Sequence, residues 1–114
     1  MLTEPEINTL VRRIMRVLQP ERVILFGSYA KGTAASASDV DLLVIKETPL
    51  PPARRAEDLL PMLQQMLIPV DVHIYTPEEV TELAREPWSF IHSVLQTGRT
   101  LYPEGEIPGD RTLR

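Results

Sequence analysis

The 114-residue sequence contains no cysteine. Disulfide frameworks, thiolate nucleophiles and cysteine-ligated zinc are therefore excluded. It also lacks an excess of basic residues, since 12 Lys and Arg stand against 16 Asp and Glu, which argues against direct nucleic-acid binding. No apolar run approaches the roughly 20 residues of a membrane span, and residues 1–5 lack the apolar stretch of a signal peptide. These absences predict a small, soluble, cytoplasmic protein with no membrane partner.

Apolar residues make up 43% of the chain, which is enough for a globular fold. The length corresponds to about one domain. We expect residues 1–102 to form this domain. Residues 103–114 are polar and rich in Gly and Pro, and we expect them to be a flexible C-terminal tail that a partner orders.

Periodic apolar positions alternate between helical and strand spacing along the chain. Helical spacing occurs at 6–18, with Thr3 and Glu6 as a capping box, and at 56–67, where Pro61 is expected to kink or shorten the helix. A third helix is expected after Thr76, and a fourth restarts at Pro87 and carries Trp88. The predicted strands are 22–26, 39–46, 70–75 and 100–102. The pattern predicts an α/β (α+β) fold, a small mixed β-sheet with helices packed on it.

Gly27 and Ser28 lie where the first predicted strand meets a short helix. The first N–H groups of a helix are unpaired and carry positive dipole, so they favour phosphate, and glycine lets the backbone approach a ligand closely. Alone, a Gly-Ser pair is usually only a turn. The pair is therefore a candidate phosphate site that depends on its neighbours.

Asp39 and Asp41 flank Val40 at the start of the second predicted strand. Side chains alternate along a strand, so both carboxylates point to one face with Cα atoms about 6.6 Å apart, an arrangement that suits Mg²⁺. Asp71 stands in a Val/Ile run on the third strand and is costly to bury without a partner. If the two strands adjoin, the three carboxylates form a cage for two metal ions about 4 Å apart; the bland alternative is that each carboxylate faces water.

Gly27-Ser28, ten intervening residues, and Asp39-Val40-Asp41 resemble the signature of the minimal nucleotidyltransferases of the DNA polymerase β superfamily. Val70-Asp71-Val72 stands where that family carries its third metal-binding aspartate, and Lys31 stands where it more often has arginine. The resemblance covers roughly Ile7 to Tyr102. It implies a polymerase β-like palm core.

The resemblance also implies an activity, which is Mg²⁺-dependent transfer of a nucleoside monophosphate from an NTP to a hydroxyl with release of pyrophosphate. Gly27, Ser28 and, more weakly, Lys31 would bind the nucleotide. Asp39, Asp41 and Asp71 would be the catalytic residues and the ligands of two Mg²⁺ ions.

Many single-domain members of this family resemble antitoxins that add AMP from ATP to a tyrosine of a HEPN-domain ribonuclease toxin. The resemblance therefore implies ATP and a HEPN toxin as partners. Two alternatives stay open, namely a binding module that masks its partner without catalysis and transfer to a small molecule. We expect an oligomer, either a homodimer or a hetero-complex.

Other chemically notable residues have simpler interpretations. His73-Ile74-Tyr75 matches the end of the HEPN ribonuclease motif but lacks its upstream arginine, so His73 is interpreted as a partly buried strand residue. Trp88, Phe90 and Tyr102 are expected to pack in the core or an interface rather than against a nucleobase.

Overall fold

The computed structural model of the protein describes residues 1–103. The helices are α1 (Glu4–Leu18), α2 (Ser28–Lys31), α3 (Leu60–Leu63), α4 (Pro77–Ala84) and α5 (Phe90–Thr97). The strands are β1 (Arg22–Phe26), β2 (Val40–Ile45), β3 (Val70–Tyr75) and β4 (Arg99–Tyr102), and short 3-10 turns occupy Pro52–Arg54 and Glu57–Leu59. Residues 104–114, nearly all of the predicted flexible tail, lie outside the described part of the chain.

The four strands form one mixed sheet in the order β3-β2-β1-β4. β1 runs antiparallel to both β2 and β4, whereas β2 and β3 are parallel. A parallel pair needs a crossover connection, and here the 3-10 turns and α3 supply it. The sheet confirms the predicted α+β architecture, and β3 and β4 are its edge strands.

α1 covers one face of this sheet. It begins at the predicted capping box, in which Thr3 Oγ1 accepts from the Glu6 N–H and Glu6 Oε1 accepts from the Thr3 N–H. Leu10 and Ile14 are buried in its apolar stripe and pack in a cluster with alternate residues of β1 and β2. Val17, which the spacing also placed on this stripe, is instead 44% exposed.

α4 and α5 belong to the opposite face of the sheet. Ile91 and Val94 of α5 are buried in a second cluster with Ile24, Leu43 and Ile45. Side chains alternate along each strand, so Asp41 shares the face of Leu43 and Ile45 and stands at the end of that row. The Asp41 side chain therefore lies on the same face of the sheet as α5.

The helix predicted at 56–67 is much shorter than its apolar spacing indicated, and the shortening occurs at Pro61, as expected. Only Leu60–Leu63 is α-helical, and Leu67 is 100% exposed. Pro61 has no N–H to donate and its ring disfavours a preceding helical turn, so the α-helix begins just before it after a 3-10 turn. The short segment still buries Leu59 and Met62.

The helix predicted to restart at Pro87 begins at Phe90 instead, with the Ser89 hydroxyl accepting from the His92 N–H at 3.0 Å. Trp88 therefore lies outside the helix that was predicted to carry it and is 81% exposed, so it does not pack in the core, and its packing in an interface stays a prediction. None of the helices in residues 1–103 is both long and apolar enough to traverse a lipid bilayer.

Candidate active site

Gly27 ends β1 and precedes the single turn of α2. Its backbone has φ 74° and ψ −154°, a conformation that is essentially restricted to glycine. A Cβ atom at this position would stand 2.3 Å from Oδ2 of Asp41. The sequence pairing of Gly27 with the Asp-x-Asp motif thus corresponds to direct contact between the glycine and the second aspartate.

Ser28 is the first residue of α2, and Lys31 is the last. The Gly27 carbonyl closes this turn by accepting from the N–H groups of Ala30 and Lys31, both at 3.1 Å. Gly32 then ends the turn in the left-handed conformation. The tight turn holds Ser28 beside the Gly27–Asp41 contact, whereas in residues 1–103 the exposed Lys31 ammonium forms no ion pair with any of the three aspartates.

Asp41 and Asp71 are directly paired residues of the parallel strands β2 and β3. Paired residues of neighbouring strands point to the same face, and the strands lie about 4.8 Å apart. On the other side, Phe26 of β1 is the partner of Asp41. The three residues form one row across the sheet, so the two strands adjoin as the sequence analysis required.

Asp71 is more exposed than its apolar flanks suggested. Because β3 is an edge strand, the Asp71 side chain is 59% exposed. The Asp71 carboxylate therefore does not incur the desolvation cost that the sequence analysis expected for a buried position. Asp39 is exposed as well, immediately before the first residue of β2.

The pKa of Asp41 is shifted by the surroundings of its carboxylate. Burial raises the pKa of Asp41 above its ordinary value, the negative charges of Asp71 and Asp39 raise it further, and His73 lowers it. Like charges disfavour the ionised form. The three aspartates thus interact at one end of the sheet, where their combined negative charge favours a cation.

The family-model comparison finds a match to the Nucleotidyltransferase domain over residues 7–99. The chain belongs to the nucleotidyltransferase domain family. A protein of Methanocaldococcus jannaschii that carries the name putative protein adenylyltransferase is 32% identical over 84 residues, which span 72% of this chain and 78% of that protein. The chain is therefore a nucleotidyltransferase.

Among solved structures, a crystal structure titled as a toxin-antitoxin with AMP-PNP matches this nucleotidyltransferase with a TM-score of 0.56. The match has 22% sequence identity and covers 83% of this chain and 72% of that one. At this identity the likeness concerns the fold alone. It agrees with the mixed sheet described above.

The donor set of the nucleotidyltransferase fits Mg²⁺ chemically. Mg²⁺ prefers carboxylate oxygens and is usually held by one or two carboxylates together with substrate phosphates. Burial and then the negative charges of Asp71 and Asp39 raise the pKa of Asp41, and a divalent cation would offset that negative charge. Within residues 1–103, however, no three His, Asp or Glu side chains are gathered closely enough to hold a metal by themselves. The fit therefore rests on the chemistry and placement of the carboxylates.

Sequence reasoning missed the part that His73 plays in this site. Its Nε2 lies 3.3 Å from Oδ2 of Asp71, and its ring packs between Phe26 and Phe90 with centroid distances of 5.6 and 5.2 Å. The signal was the two-residue spacing of Asp71 and His73, because residues i and i+2 of a strand share a face. Phe90, which was predicted to pack in the core or an interface, contacts the His73 ring and is itself 41% exposed.

Proposed function

We propose that this nucleotidyltransferase transfers AMP from ATP to a hydroxyl of a partner protein and thereby acts as an antitoxin. The proposed acceptor is a tyrosine of a HEPN-domain ribonuclease toxin, and the proposed place of action is the cytoplasm, where ATP is available. The observation that carries the proposal is the contact of Gly27 with Asp41 together with the strand pairing of Asp41 with Asp71. This arrangement sets a glycine turn suited to phosphate against two paired carboxylates.

The names of similar proteins support the choice of acceptor. The relative from M. jannaschii is named for adenylyl transfer to protein. The structure of similar fold is titled as a toxin-antitoxin with AMP-PNP, an analogue of ATP. Both names agree with the resemblance that the sequence motifs carry, and the proposal for this chain follows from the three together.

The proposed reaction divides between the two halves of the site. Gly27 and Ser28 hold the triphosphate of ATP, and Asp39, Asp41 and Asp71 are the proposed ligands of two Mg²⁺ ions. When bound, Mg²⁺ would neutralise phosphate charge and favour in-line displacement at the α-phosphorus. Lys31 is exposed at the end of α2, so its proposed role is restricted to long-range attraction of the nucleotide.

The transfer forms one bond and breaks one. The acceptor oxygen bonds to the α-phosphorus, and the bond from that phosphorus to the α–β bridging oxygen breaks, so pyrophosphate leaves with the electron pair. Asp71 orients the acceptor hydroxyl and receives its proton, which then passes to water. Its exposure on an edge strand leaves room for a protein-borne hydroxyl to approach.

The test is to combine the protein with the product of its neighbouring gene, ATP and Mg²⁺, and to weigh both chains by intact-mass spectrometry. We expect one or more AMP units on the neighbour. Asp41→Asn should abolish the increment, and Asp58→Asn, the same change at an exposed aspartate of the 3-10 turn Glu57–Leu59, should not.

Two outcomes would contradict the proposal in different ways. A tight complex that forms without ATP, with no added mass on the neighbour, would show that the protein masks its partner sterically. Transfer of AMP to a small molecule, with the neighbour unchanged, would show a different acceptor class. Retention of toxin protection by Asp39→Asn would separate masking from catalysis in cells.

A further inference from the structure

The face that carries Asp41 and Asp71 continues into an aromatic cluster made of Phe26, His73, Tyr75 and Phe90. Phe26 and Phe90 meet edge to face at 5.2 Å, and the Phe90 ring lies 6.4 Å from that of Tyr75. Phe26 is at the same time the strand partner of Asp41. The cluster therefore touches both strands that bear the catalytic carboxylates.

His73 is the polar member of this cluster and faces Asp71. The imidazole is 35% exposed, and packing against Phe26 and Phe90 restricts its ring orientation. Its Nε2 lies 3.3 Å from Asp71 Oδ2, which is a close polar contact. A neutral imidazole with its proton on Nε2 is a hydrogen-bond donor, so the contact needs no change of charge.

Asp71 needs such a partner because of where it lies. On the edge strand β3 its side chain is 59% exposed, and an exposed carboxylate samples several rotamers. A carboxylate that must orient an acceptor oxygen has to be held in a narrow range of geometry. A donor fixed by two packed rings restricts one oxygen of Asp71.

We propose that His73 is a positioning residue for Asp71 and that it restricts the Asp71 carboxylate by donating a hydrogen bond from Nε2 to Oδ2. This inference rests on the proposed function, in which Asp71 serves the acceptor. His73 itself touches neither nucleotide nor acceptor in this assignment. Phe26 and Phe90 act indirectly. They restrict the orientation of the His73 imidazole, and the imidazole in turn restricts the Asp71 carboxylate.

The first test is spectroscopic and does not depend on activity. The chain has two histidines, so long-range proton–nitrogen correlation spectra show two imidazole rings, and His92→Phe assigns them. We expect Asp71→Asn to shift the Nε2 signal of His73 and to leave His92 unchanged. An unmoved His73 signal would overturn the contact.

The second test is a double-mutant cycle on transfer of AMP from ATP to the neighbouring gene product. His73→Phe keeps an aromatic ring but removes the donor, and we expect kcat to fall about 10-fold or more while KM for ATP changes less than about 2-fold. His73→Gln, which retains a donor nitrogen, should recover part of the loss. His92→Phe is the matched control and should keep wild-type kcat.

The cycle distinguishes failure of this inference from failure of the proposed function. Where Asp71→Asn leaves measurable transfer, the addition of His73→Phe should cause no further loss, because the two residues act through one contact. If Asp71→Asn is inactive and His73→Phe is fully active, the positioning role is overturned and the role of Asp71 stands. If Asp71→Asn itself is fully active, the proposed function of Asp71 fails first. If His73→Phe and His92→Phe lower kcat to the same extent and also lower the melting temperature to the same extent, His73 has a structural role only.

Discussion

The carboxylate of Asp41 lies over the α-carbon of Gly27, so closely that a Cβ atom there would stand 2.3 Å from Oδ2. Gly27 thus serves two purposes. The missing side chain admits the carboxylate, and the positive φ turns the chain from β1 into α2. The same turn places Ser28 next to the contact between Gly27 and Asp41. The Gly-Ser pair and the second aspartate of the motif are therefore neighbours in the structure.

Gly27→Ala should therefore abolish nucleotidyl transfer and also lower the free energy of unfolding. The added methyl group displaces the Asp41 carboxylate, and the backbone conformation costs roughly 1–3 kcal/mol for a residue with a Cβ atom. Gly32→Ala is the control, because it has a similar positive φ but nothing within 4 Å of its Cβ position. Gly32→Ala should lose about 1–2 kcal/mol of unfolding free energy and keep its activity per folded molecule. Comparable activity in the two variants would contradict the contact.

Arg55 should be a main contributor to stability outside the site. Its side chain is 8% exposed and donates to both Glu79 carboxylate oxygens, at 2.6 and 3.0 Å, and to the carbonyls of Leu50 and Ile74. It joins the crossover loop, edge strand β3 and the cap of α4. We expect Arg55→Ala to lower the unfolding free energy by about 2 kcal/mol, measured by urea denaturation.

The neighbouring Arg54 provides the control for that experiment. Its ion pair with Glu57 is more than half exposed on the arginine side, so Arg54→Ala should cost about 0.5 kcal/mol or less. Equal losses for the two arginine variants would show that burial of the Arg55 guanidinium does not matter.

The Arg55–Glu79 contact also predicts a dependence of stability on pH. Hydrogen bonds from the Arg55 side chain and then the Thr76 backbone lower the pKa of Glu79. A lowered folded-state pKa contributes stability above the ordinary pKa of glutamate, and that stability is lost as the pH falls through the folded-state value. The difference in melting temperature between wild type and Glu79→Gln should therefore be largest at neutral pH and shrink in acid. A difference in melting temperature that stays constant with pH would contradict the role assigned to the Glu79 carboxylate.

Local signals in the sequence predicted most of the elements that carry the site. Thr3 with Glu6 and Thr76 with Pro77 are capping signals whose geometry depends on adjacent residues only, and β1 and β3 occupy the ranges predicted for them. The spacing from Gly27 to Asp41 carried the family resemblance, whereas the contact between the two residues is known from the structure.

Long-range relationships could not be predicted in the same way. Nothing local states that β2 and β3 pair in the register that sets Asp41 beside Asp71, or that β3 is an edge strand that leaves Asp71 exposed. Tertiary packing, not local preference, decided these two positions. The exclusion of Trp88 from α5 has a local cause instead, because the Ser89 side chain caps the helix after it, and the helical spacing alone did not reveal this cap.

Asp41→Asn should raise stability while it removes activity. Burial and the charges of Asp71 and Asp39 raise the pKa of Asp41, so its ionisation costs stability at neutral pH and this cost is relieved as the pH falls through the raised value. In EDTA at neutral pH the variant should melt at a higher temperature than wild type. The advantage should vanish in acid, where Asp41 is protonated. A lower melting temperature for the variant at neutral pH would contradict the electrostatic account.

Addition of Mg²⁺ should reverse that order. A ligand that binds only the folded state stabilises it by RT ln(1 + [L]/Kd) and so raises the melting temperature, and the three aspartates are the proposed Mg²⁺ ligands. Wild type should therefore gain stability in Mg²⁺ with AMP-PNP, whereas Asp41→Asn should gain little. Asp58→Asn, which keeps all three carboxylates, should respond like wild type, and differential scanning fluorimetry measures all three chains. An equal shift for Asp41→Asn and wild type would show that the cation binds without Asp41 and would remove it from the proposed ligand set.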